Sequence, residues 1–220
     1  ERRAAIVKSL RASAQGAASQ LDLAQRSRLT RRVLNAALVD LDIAELVKTD
    51  DIPIEGQLSL SQRTVFRLTD HQIRFFYRFF KDTSRTHFRR GFSQSVKWES
   101  AEIGQFLAAL VADRLLIPWL ARVGPQKKPI GLLARMGPLP GMPACDSALA
   151  VVDLKERQVL VCGVVGQARP VGERRAKAFV VAAKALISDS WAGYSGRCLF
   201  VSLSGFTPQA SRHLLENSFY

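Results

Sequence analysis

The chain has 220 residues, enough for two small domains or one larger one, and its 47% hydrophobic and 23% charged residues exclude a wholly disordered chain. The count of 32 Lys and Arg against 19 Asp and Glu gives a formal net charge of +13, which favours a polyanionic partner, with DNA or RNA ahead of an anionic membrane surface. Cys145, Cys162 and Cys198 are far apart and odd in number, which indicates neither a disulfide framework nor a zinc site and fits a reducing, cytoplasmic setting. No run approaches the length of a membrane span, and no signal peptide is visible.

Three short helices and a hairpin are predicted at the start of the chain. The helices cover residues 1–14, residues 19–24 with Ser19 as N-cap, and a third segment that begins after the N-cap candidate Thr30. The third helix is predicted to bury Val33, Leu34, Ala37, Leu38 and Leu41. A hairpin would then run from Ala44–Lys48 through the polar stretch TDDIPIEGQ to Thr64–Leu68. This order is typical of a winged helix-turn-helix.

The third helix carries the candidate residues for reading DNA. In such modules the N-terminal part of this helix enters the major groove, and here Arg28, Arg31, Arg32 and Asn35 lie at or near that end. Arginine pairs bidentately with guanine and asparagine with adenine. Many winged helices dock proteins instead, and the acidic tip of the predicted wing (Asp50, Asp51 and Glu55) would repel phosphate, so a protein-docking or structural role stays open.

The stretch TVFRLTDHQIRFFYRFF at 64–80 is predicted to be a strand followed by a hub helix on which two flanking regions pack. Asp70 is the N-cap, and Ile73, Phe76, Tyr77 and Phe80 fall on one apolar face. Arg74 and Arg78 are expected at its charged edge. A core role is favoured over a nucleobase-stacking platform.

The second half of the chain has an α/β pattern. Residues 83–97 read as a basic linker that adds Arg89 and Arg90 to the nucleic-acid-binding candidates, and a long helix opens at Trp98-Glu99. That helix is predicted to turn inward Ile103, Phe106, Leu107, Leu110, Val111 and Leu115. Residues 122–145 are predicted to be loop. Strands at 147–153 and 158–165, a helix at about 172–187, a strand at 198–202 and a helix at 208–215 would then form a mixed sheet with helices.

Several motifs in this order resemble the C-terminal region of archaeal-type P-loop ATPases. FRLTDHQIRFFYRFF at 66–80 looks like that family's Y-R-L-x-D-x-x-x-R-F-W-Y-R-F signature, and Trp98-Glu99 is similar to the Phe-Glu that opens its next helix. CDSALAVVDLKERQVLVCGVVGQARPVG at 145–172 resembles its E-I-D…G-E-x-K-W…K-P-V-G segment, and SLSGFT at 202–207 resembles its S-x-x-G-F-T. Glycines at 124, 131, 137 and 141 form no nucleotide-binding loop, so any ATPase module is expected upstream of Glu1.

The resemblance implies a PD-(D/E)xK nuclease-like domain whose metal site is degenerate. Such a site needs paired carboxylates for Mg²⁺ and a lysine beside the attacking water. Glu99 and Asp146 stand at two of the carboxylate positions and are the only remnants. Gly163 stands at the Glu position and Val165 at the Lys position, although Gln167 or Arg169 could substitute. The histidines at 71, 87 and 213 are scattered and form no catalytic arrangement.

These observations predict an α/β (α+β overall) chain with three parts: a winged helix-turn-helix at 1–69, the hub helix and basic linker at 70–97, and a nuclease-like mixed-sheet domain at 98–220. The expected function is a non-catalytic DNA-binding or partner-binding C-terminal region of an ATPase-like protein. The alternatives are a metal-dependent nuclease with a displaced site, for which alone Mg²⁺ would be a cofactor, and a structural scaffold or oligomerisation module. No cofactor, membrane or small-molecule substrate is expected. DNA, a protein partner or an upstream ATPase domain is the expected partner.

Overall fold

The computed structural model describes residues 2–51, 64–80, 101–122, 134–139 and 142–217. Its contacts divide the chain into two compact units. The first unit holds the described residues up to Phe80, and the second holds those from Ala101 onward. The chain combines helices with two small sheets, so the predicted mixture of helices and strands is confirmed at this level.

The first unit places helices around a three-stranded sheet. Its elements are α1 (Arg2–Ser13), β1 (Ala18–Ser19), α2 (Gln20–Ser27), α3 (Arg31–Ile43), β2 (Val47–Asp51), β3 (Thr64–Leu68) and α4 (His71–Phe79). The sheet is antiparallel with the order β1-β3-β2. Strand β1 was not predicted, because two residues show no periodicity. Most of the predicted wing tip falls at 52–63, outside the described residues.

Capping fixes where α2 begins. The Ser19 hydroxyl accepts from the Asp22 N–H at 3.2 Å, and the Asp22 carboxylate accepts from the Ser19 N–H at 3.3 Å. This reciprocal pair is a capping box, in which two otherwise unpaired backbone donors are satisfied. Thr30 takes the N-cap position of α3 as predicted, but its side chain makes no capping hydrogen bond.

Leucines from three helices and from β3 form the core of the first unit. Its buried members are Leu10, Ala12, Ala14, Ala18, Leu23, Leu34, Leu38, Leu41, Val47 and Leu68. The predicted inward residues Leu34, Ala37, Leu38 and Leu41 are confirmed as buried. Val33 is 42% exposed, so its predicted burial is wrong. It lies off the stripe that those four residues form at spacings of three and four.

Helix α4 begins as predicted, and on its predicted apolar face Ile73 and Tyr77 pack on the core and Phe80 is buried, but two other positions differ. Asp70 Oδ1 accepts from the N–H groups of Gln72 at 2.7 Å and Ile73 at 2.9 Å, so Asp70 is the N-cap. Phe76, predicted to be buried, is 46% exposed, whereas Arg74, predicted at the charged edge, is only 4% exposed.

The buried Arg74 lies beside the end of α1. A Cβ built on Gly16 would lie 4.0 Å from Arg74 Nη2, and Gly16 follows α1 closely with φ +128°. A cation near a helix C-terminus is favoured by the helix dipole and by the last carbonyl oxygens. The face of α4 is therefore set by a charged group as well as by apolar contacts.

The second unit is built on a four-stranded sheet. Its elements are α5 (Ala101–Val111), a π-helical segment (Ala112–Leu116), α6 (Ile117–Arg122), β4 (Ala134–Pro138), β5 (Ser147–Asp153), β6 (Gln158–Val165), α7 (Glu173–Ser190), β7 (Ser195–Ser202) and α8 (Pro208–Glu216). The strand order is β4-β5-β6-β7. The β4-β5 and β5-β6 pairs are antiparallel and β6-β7 is parallel, so the predicted mixed sheet is present. Strand β4 falls in the stretch predicted as loop, because the glycines and prolines of that stretch are typical of turns.

Opposite faces of the sheet carry different layers. Gly163 on β6 and Phe200 on β7 lie on the side of α7, where Phe179 stacks on Phe200 with ring centroids 4.2 Å apart and an interplanar angle of 11°. The residues of the other layer are Ala108, Ala112, Leu116, Leu120, Leu149, Val151, Leu160, Cys162 and Val164. Alternation along β6 sends neighbouring residues to these two layers.

One continuous helical run, Ala101–Leu120, is long and apolar enough to cross a membrane by length and composition, so the expectation that no run approaches that length is wrong. Its buried stripe packs on the sheet. Ile103 and Phe106 are buried as predicted, but Leu107 and Leu115 are 38% and 64% exposed. The π-helical segment shifts the register here, with the Ile117 N–H donating to the Ala112 carbonyl five residues earlier. This wider turn immediately precedes Pro118, which has no N–H to donate.

Candidate nucleic-acid interface and the Asp146 network

A tight turn between α2 and α3 exposes three arginines. Arg28 has a left-handed backbone (φ 55°, ψ 37°), and its N–H donates to the carbonyl oxygens of Ala24 and Gln25. Arg31 and Arg32 follow at the first two positions of α3. All three arginines are exposed, and in the described parts of the chain their side chains form no ion pair or hydrogen bond. Their charge is therefore available to an anionic partner.

Asn35, the fourth predicted contact residue, lies one turn further along α3 and is exposed. Its side-chain oxygen accepts a hydrogen bond from Gln20 Nε2. Gln20 is the first residue of α2 and was not singled out from the sequence. The two residues are far apart along the chain, and only the packing of α2 on α3 brings them together.

The other end of α3 has a different character. Val39 is 57% exposed and Ile43 is 77% exposed, and they lie one turn apart on the outer face of the helix. Between them, Asp40 forms a two-point ion pair with Arg2 of α1, at 2.8 and 2.5 Å. The hydrogen bond from Arg2 lowers the pKa of Asp40. The polar, basic character of α3 is therefore confined to its N-terminal half.

The acidic end of the β2–β3 hairpin is partly neutralised by its own strands. Asp50 accepts from Arg67 Nε at 2.8 Å and lies 3.5 Å from Lys48 Nζ. Asp51 accepts from the Thr64 hydroxyl at 3.1 Å. The repulsion of phosphate expected from this hairpin is weakened accordingly at Asp50. Of the remaining candidates, Glu55, Arg89, Arg90 and Glu99 lie outside the described residues.

In the second unit, Asp146 is held by a positively charged neighbour. Asp146 Oδ1 accepts from Arg175 Nη2 at 2.9 Å, and Oδ2 accepts from the Gly166 N–H at 2.8 Å. The same guanidinium donates from Nε to the Ala144 carbonyl at 2.7 Å and from Nη1 to Gln167 Oε1 at 2.6 Å. Arg175 thus joins the segment before β5 to the segment after β6.

This network occupies the sheet edge at which the parallel strands β6 and β7 end. The Ser204 hydroxyl, just after β7, donates to the Gln167 carbonyl, and Gln167 Nε2 donates to the Arg169 carbonyl at 2.8 Å. Gln167, which was considered as a substitute ligand, therefore uses its side chain to bind Arg175 and its own loop. Arg169 is exposed. Ligands often bind at such an edge in open sheets, and here a guanidinium lies at it.

The surroundings of Asp146 do not fit a Mg²⁺ ion. A hard cation requires several oxygen ligands, whereas the groups nearest the carboxylate are a guanidinium and a backbone N–H. Among the residues that the structure describes, no three His, Cys, Asp or Glu side chains are placed to hold a metal. Cys145 is the adjacent residue, and burial together with the charge of Asp146 raises its pKa to about 12, so its thiol stays protonated at neutral pH.

The two positions where the resemblance calls for a Glu and a Lys are closed by packing. A Cβ on Gly163 would lie 2.5 Å from Phe179 Cε2, closer than real carbon contacts allow. Val165 has no exposed surface. The side of β6 on which a catalytic carboxylate would stand is covered by the aromatic layer under α7.

No protein-family model matches this sequence, and no curated protein matches it either. The likeness to the C-terminal region of P-loop ATPases therefore remains a resemblance carried by local motifs.

Proposed function

We propose that this chain is a non-catalytic DNA-binding region, with a winged helix-turn-helix in its first unit and a nuclease-like domain without an active site in its second. The observation that carries the proposal is the exposed triplet Arg28, Arg31 and Arg32 at the start of α3. Three guanidinium groups at one helix end suit both phosphate contacts and guanine edges. The expected setting is cytoplasmic, as part of an ATPase-like protein.

The connectivity of the first unit supports this proposal. The order α1, β1, α2, α3, β2, β3, with α3 directly before a hairpin, is the order expected of a winged helix. In such a module α3 is the helix that enters the major groove with its N-terminal residues foremost. The formal net charge of +13 adds an attraction that does not depend on DNA sequence.

The second unit supports a non-catalytic role. Arg175 and the Gly166 N–H satisfy both oxygens of Asp146, and Phe179 excludes a side chain at Gly163. A carboxylate in a strong ion pair is a poor ligand for a second cation, since binding the metal would require the guanidinium to leave. This part of the chain is therefore expected to bind or support rather than to cut.

A salt titration of binding to a labelled duplex tests the proposal. Fluorescence anisotropy should show binding at low salt, with log K falling linearly against log salt, and each lost phosphate contact should flatten the slope by about 0.9. Arg31→Ala and Arg32→Ala should each weaken binding and flatten that slope. Arg174→Ala, an exposed arginine on α7, is the matched control and should change it less. Absence of binding to duplex or single-stranded DNA at low salt would refute the proposal.

Docking of a protein partner is the second candidate function, and the exposed Val39 and Ile43 favour it. An apolar pair beside the acidic Asp42 is unsuited to a phosphate backbone. If α3 binds a protein through this end, Ile43→Ser should abolish that contact while Arg31→Ala leaves it intact. If Arg31→Ala instead weakens DNA binding and Ile43→Ser leaves it unchanged, the DNA-binding proposal is favoured.

A metal-dependent nuclease is the enzymatic alternative, and substitution of Asp146 distinguishes it from the non-catalytic role. Incubation of supercoiled plasmid with the protein and Mg²⁺ or Mn²⁺ should give no cleavage under the present proposal. Cleavage that Asp146→Asn abolishes would favour the enzyme. Because Asp146→Asn keeps an oxygen for the Gly166 N–H, loss of activity could be separated from loss of folding by thermal denaturation.

A further inference from the structure

The exposed face of α3 changes its chemical character along the helix. Four exposed residues lie at spacings i, i+3, i+4 and i+7, namely Arg32, Asn35, Ala36 and Val39. Side chains at these spacings project from one side of a helix, and the leucines of the opposite side are buried. Val39 is 57% exposed. The stripe therefore begins with a cation and ends with two apolar side chains.

This stripe has the spacing that a helix uses to contact bases in the major groove. Such a helix brings residues about one turn apart toward successive base edges. A rise of about 1.5 Å per residue places Val39 roughly 10 Å beyond Arg32, which is about three base-pair steps along the groove. A helix that places Arg32 on a guanine therefore brings Val39 to a base edge about three pairs away.

The acidic residue next to Val39 is paired within the first unit. Asp40 accepts from Arg2 Nε at 2.8 Å, and its side chain is only 18% exposed. An unpaired carboxylate at this place would be repelled by phosphate, so the ion pair lowers the cost of bringing DNA close to Val39. Asp42 is exposed, but it lies further from Arg32 and beside Ile43. The apolar surface suited to DNA therefore ends at Val39.

We propose that Val39 contacts the 5-methyl group of a thymine in the major groove, an inference that rests on the DNA-binding function proposed above and names its base preference. Thymine is the base that presents a methyl group there, and apolar side chains contact it. A protein partner fits this surface less well. Stable protein interfaces bury about 800 Å² on each side, far more than one valine and one alanine offer.

Deoxyuridine tests the contact, because it differs from thymidine only in lacking the methyl group. A duplex is selected from a random pool with the full chain and is then synthesised with deoxyuridine in place of each thymine in turn. Fluorescence anisotropy should show about fourfold weaker binding at one position, the effect of one methyl-sized apolar group. This loss should be the same at each salt concentration, because it involves no phosphate contact.

Substitutions of Val39 should remove the dependence on the methyl group. Val39→Ala should bind the thymine duplex about fourfold more weakly and the deoxyuridine duplex nearly as tightly as the natural chain does, with an unchanged salt slope. Val39→Thr keeps one methyl group and should keep most of the discrimination. Ile43→Ser, an exposed apolar residue one turn further along α3, is the matched control and should leave the discrimination unchanged. Thermal denaturation verifies that each variant is folded.

The outcomes separate this inference from the function on which it rests. Three results would overturn the thymine contact while DNA binding stands: a selected motif without thymine, equal binding of every deoxyuridine duplex, or a methyl dependence that Val39→Ala leaves intact. Absence of binding to any duplex at low salt would remove the DNA-binding function and the thymine contact with it.

Discussion

Replacing Gly163 by alanine is the sharpest test of how the second unit is packed. The new methyl carbon would lie 2.5 Å from Phe179 Cε2, while carbon atoms in contact prefer about 3.5–4.0 Å, so the ring must move by about 1 Å. The ring cannot retreat freely, because it also stacks on Phe200 with ring centroids 4.2 Å apart. Glycine at this position is therefore required by the space available, and its φ is not in the left-handed region.

The expected change in the free energy of unfolding is the balance of two opposed effects. Overpacking a filled core costs about 1–3 kcal/mol. Alanine is better than glycine inside a strand by roughly 0.5–1 kcal/mol. The free energy of unfolding of Gly163→Ala should thus fall by about 1–2 kcal/mol. Phe179→Leu alone also destabilises by leaving a void, but together with Gly163→Ala the loss should be smaller than the sum by about 1 kcal/mol or more.

Guanidinium denaturation followed by tryptophan fluorescence measures this double-mutant cycle. Trp119 and Trp191 both lie in the second unit and report on it. The control is Gly172→Ser, since a Cβ there would meet nothing within 4 Å, and its stability should change by no more than about 0.5 kcal/mol. If Gly163→Ala is as stable as the natural chain and its effect adds to that of Phe179→Leu, the packing argument is wrong. The same packing bears on function. The larger side chain of Gly163→Glu should unfold the second unit, so this substitution should not restore a metal ligand.

Three further predictions concern other contacts. Gly166→Ala should lower the free energy of unfolding by more than about 2 kcal/mol relative to the natural chain in the same assay, which is more than Gly163→Ala. The reason is that its Cβ would lie 1.9 Å from the Gly104 backbone oxygen, which cannot rotate away. Cys145 should resist iodoacetamide at pH 8 in the native state and react in denaturant, because its pKa is raised to about 12 from an ordinary 9.0. For the same reason its contribution to the free energy of unfolding should be present below pH 9 and lost as the pH rises toward 12. Asp40 has a lowered pKa, so the stability it provides should be present above its ordinary value of 3.8 and lost as the pH falls below it; Asp40→Asn should remove that acid dependence, and high salt should weaken it.

Local signals in the sequence located most element starts. Ser19 and Asp70 were predictable as caps because a short acceptor side chain before a periodic run has a local cause. The periodicity of α3 predicted four buried residues correctly, and the apolar runs of β5 and β6 were found with their ends. These features depend on neighbours within a few residues.

The structural features that the sequence does not predict depend on contacts between distant segments. Arg74 is buried on α4 while Phe76 is exposed, and Arg74 lies near Gly16 at the end of α1, a contact that no pattern within the helix reveals. The pairing of Asp146 with Arg175 joins residues 29 positions apart, and only the sheet brings them together. Gln20 carried no signal as a partner of Asn35, since a glutamine at a helix start is ordinary. Local caps and apolar runs are therefore predictable from the sequence, and contacts between distant segments are not.

The strand order of the second unit has a consequence for the order in which it folds. Strands β5 and β6 are joined by a short turn in which Asp153 accepts from the N–H groups of Lys155 and Glu156 at 2.9 and 3.0 Å, so this hairpin can form early. The parallel β6-β7 pair forms only after the whole of α7 has been synthesised and has docked, which closes a much longer loop. Until then the run VLVCGVV in β6 has an unpaired apolar edge, the kind of segment that adds strands from other chains. Truncation before β7 should therefore produce aggregates, because it leaves the more apolar β6 at the edge of the sheet.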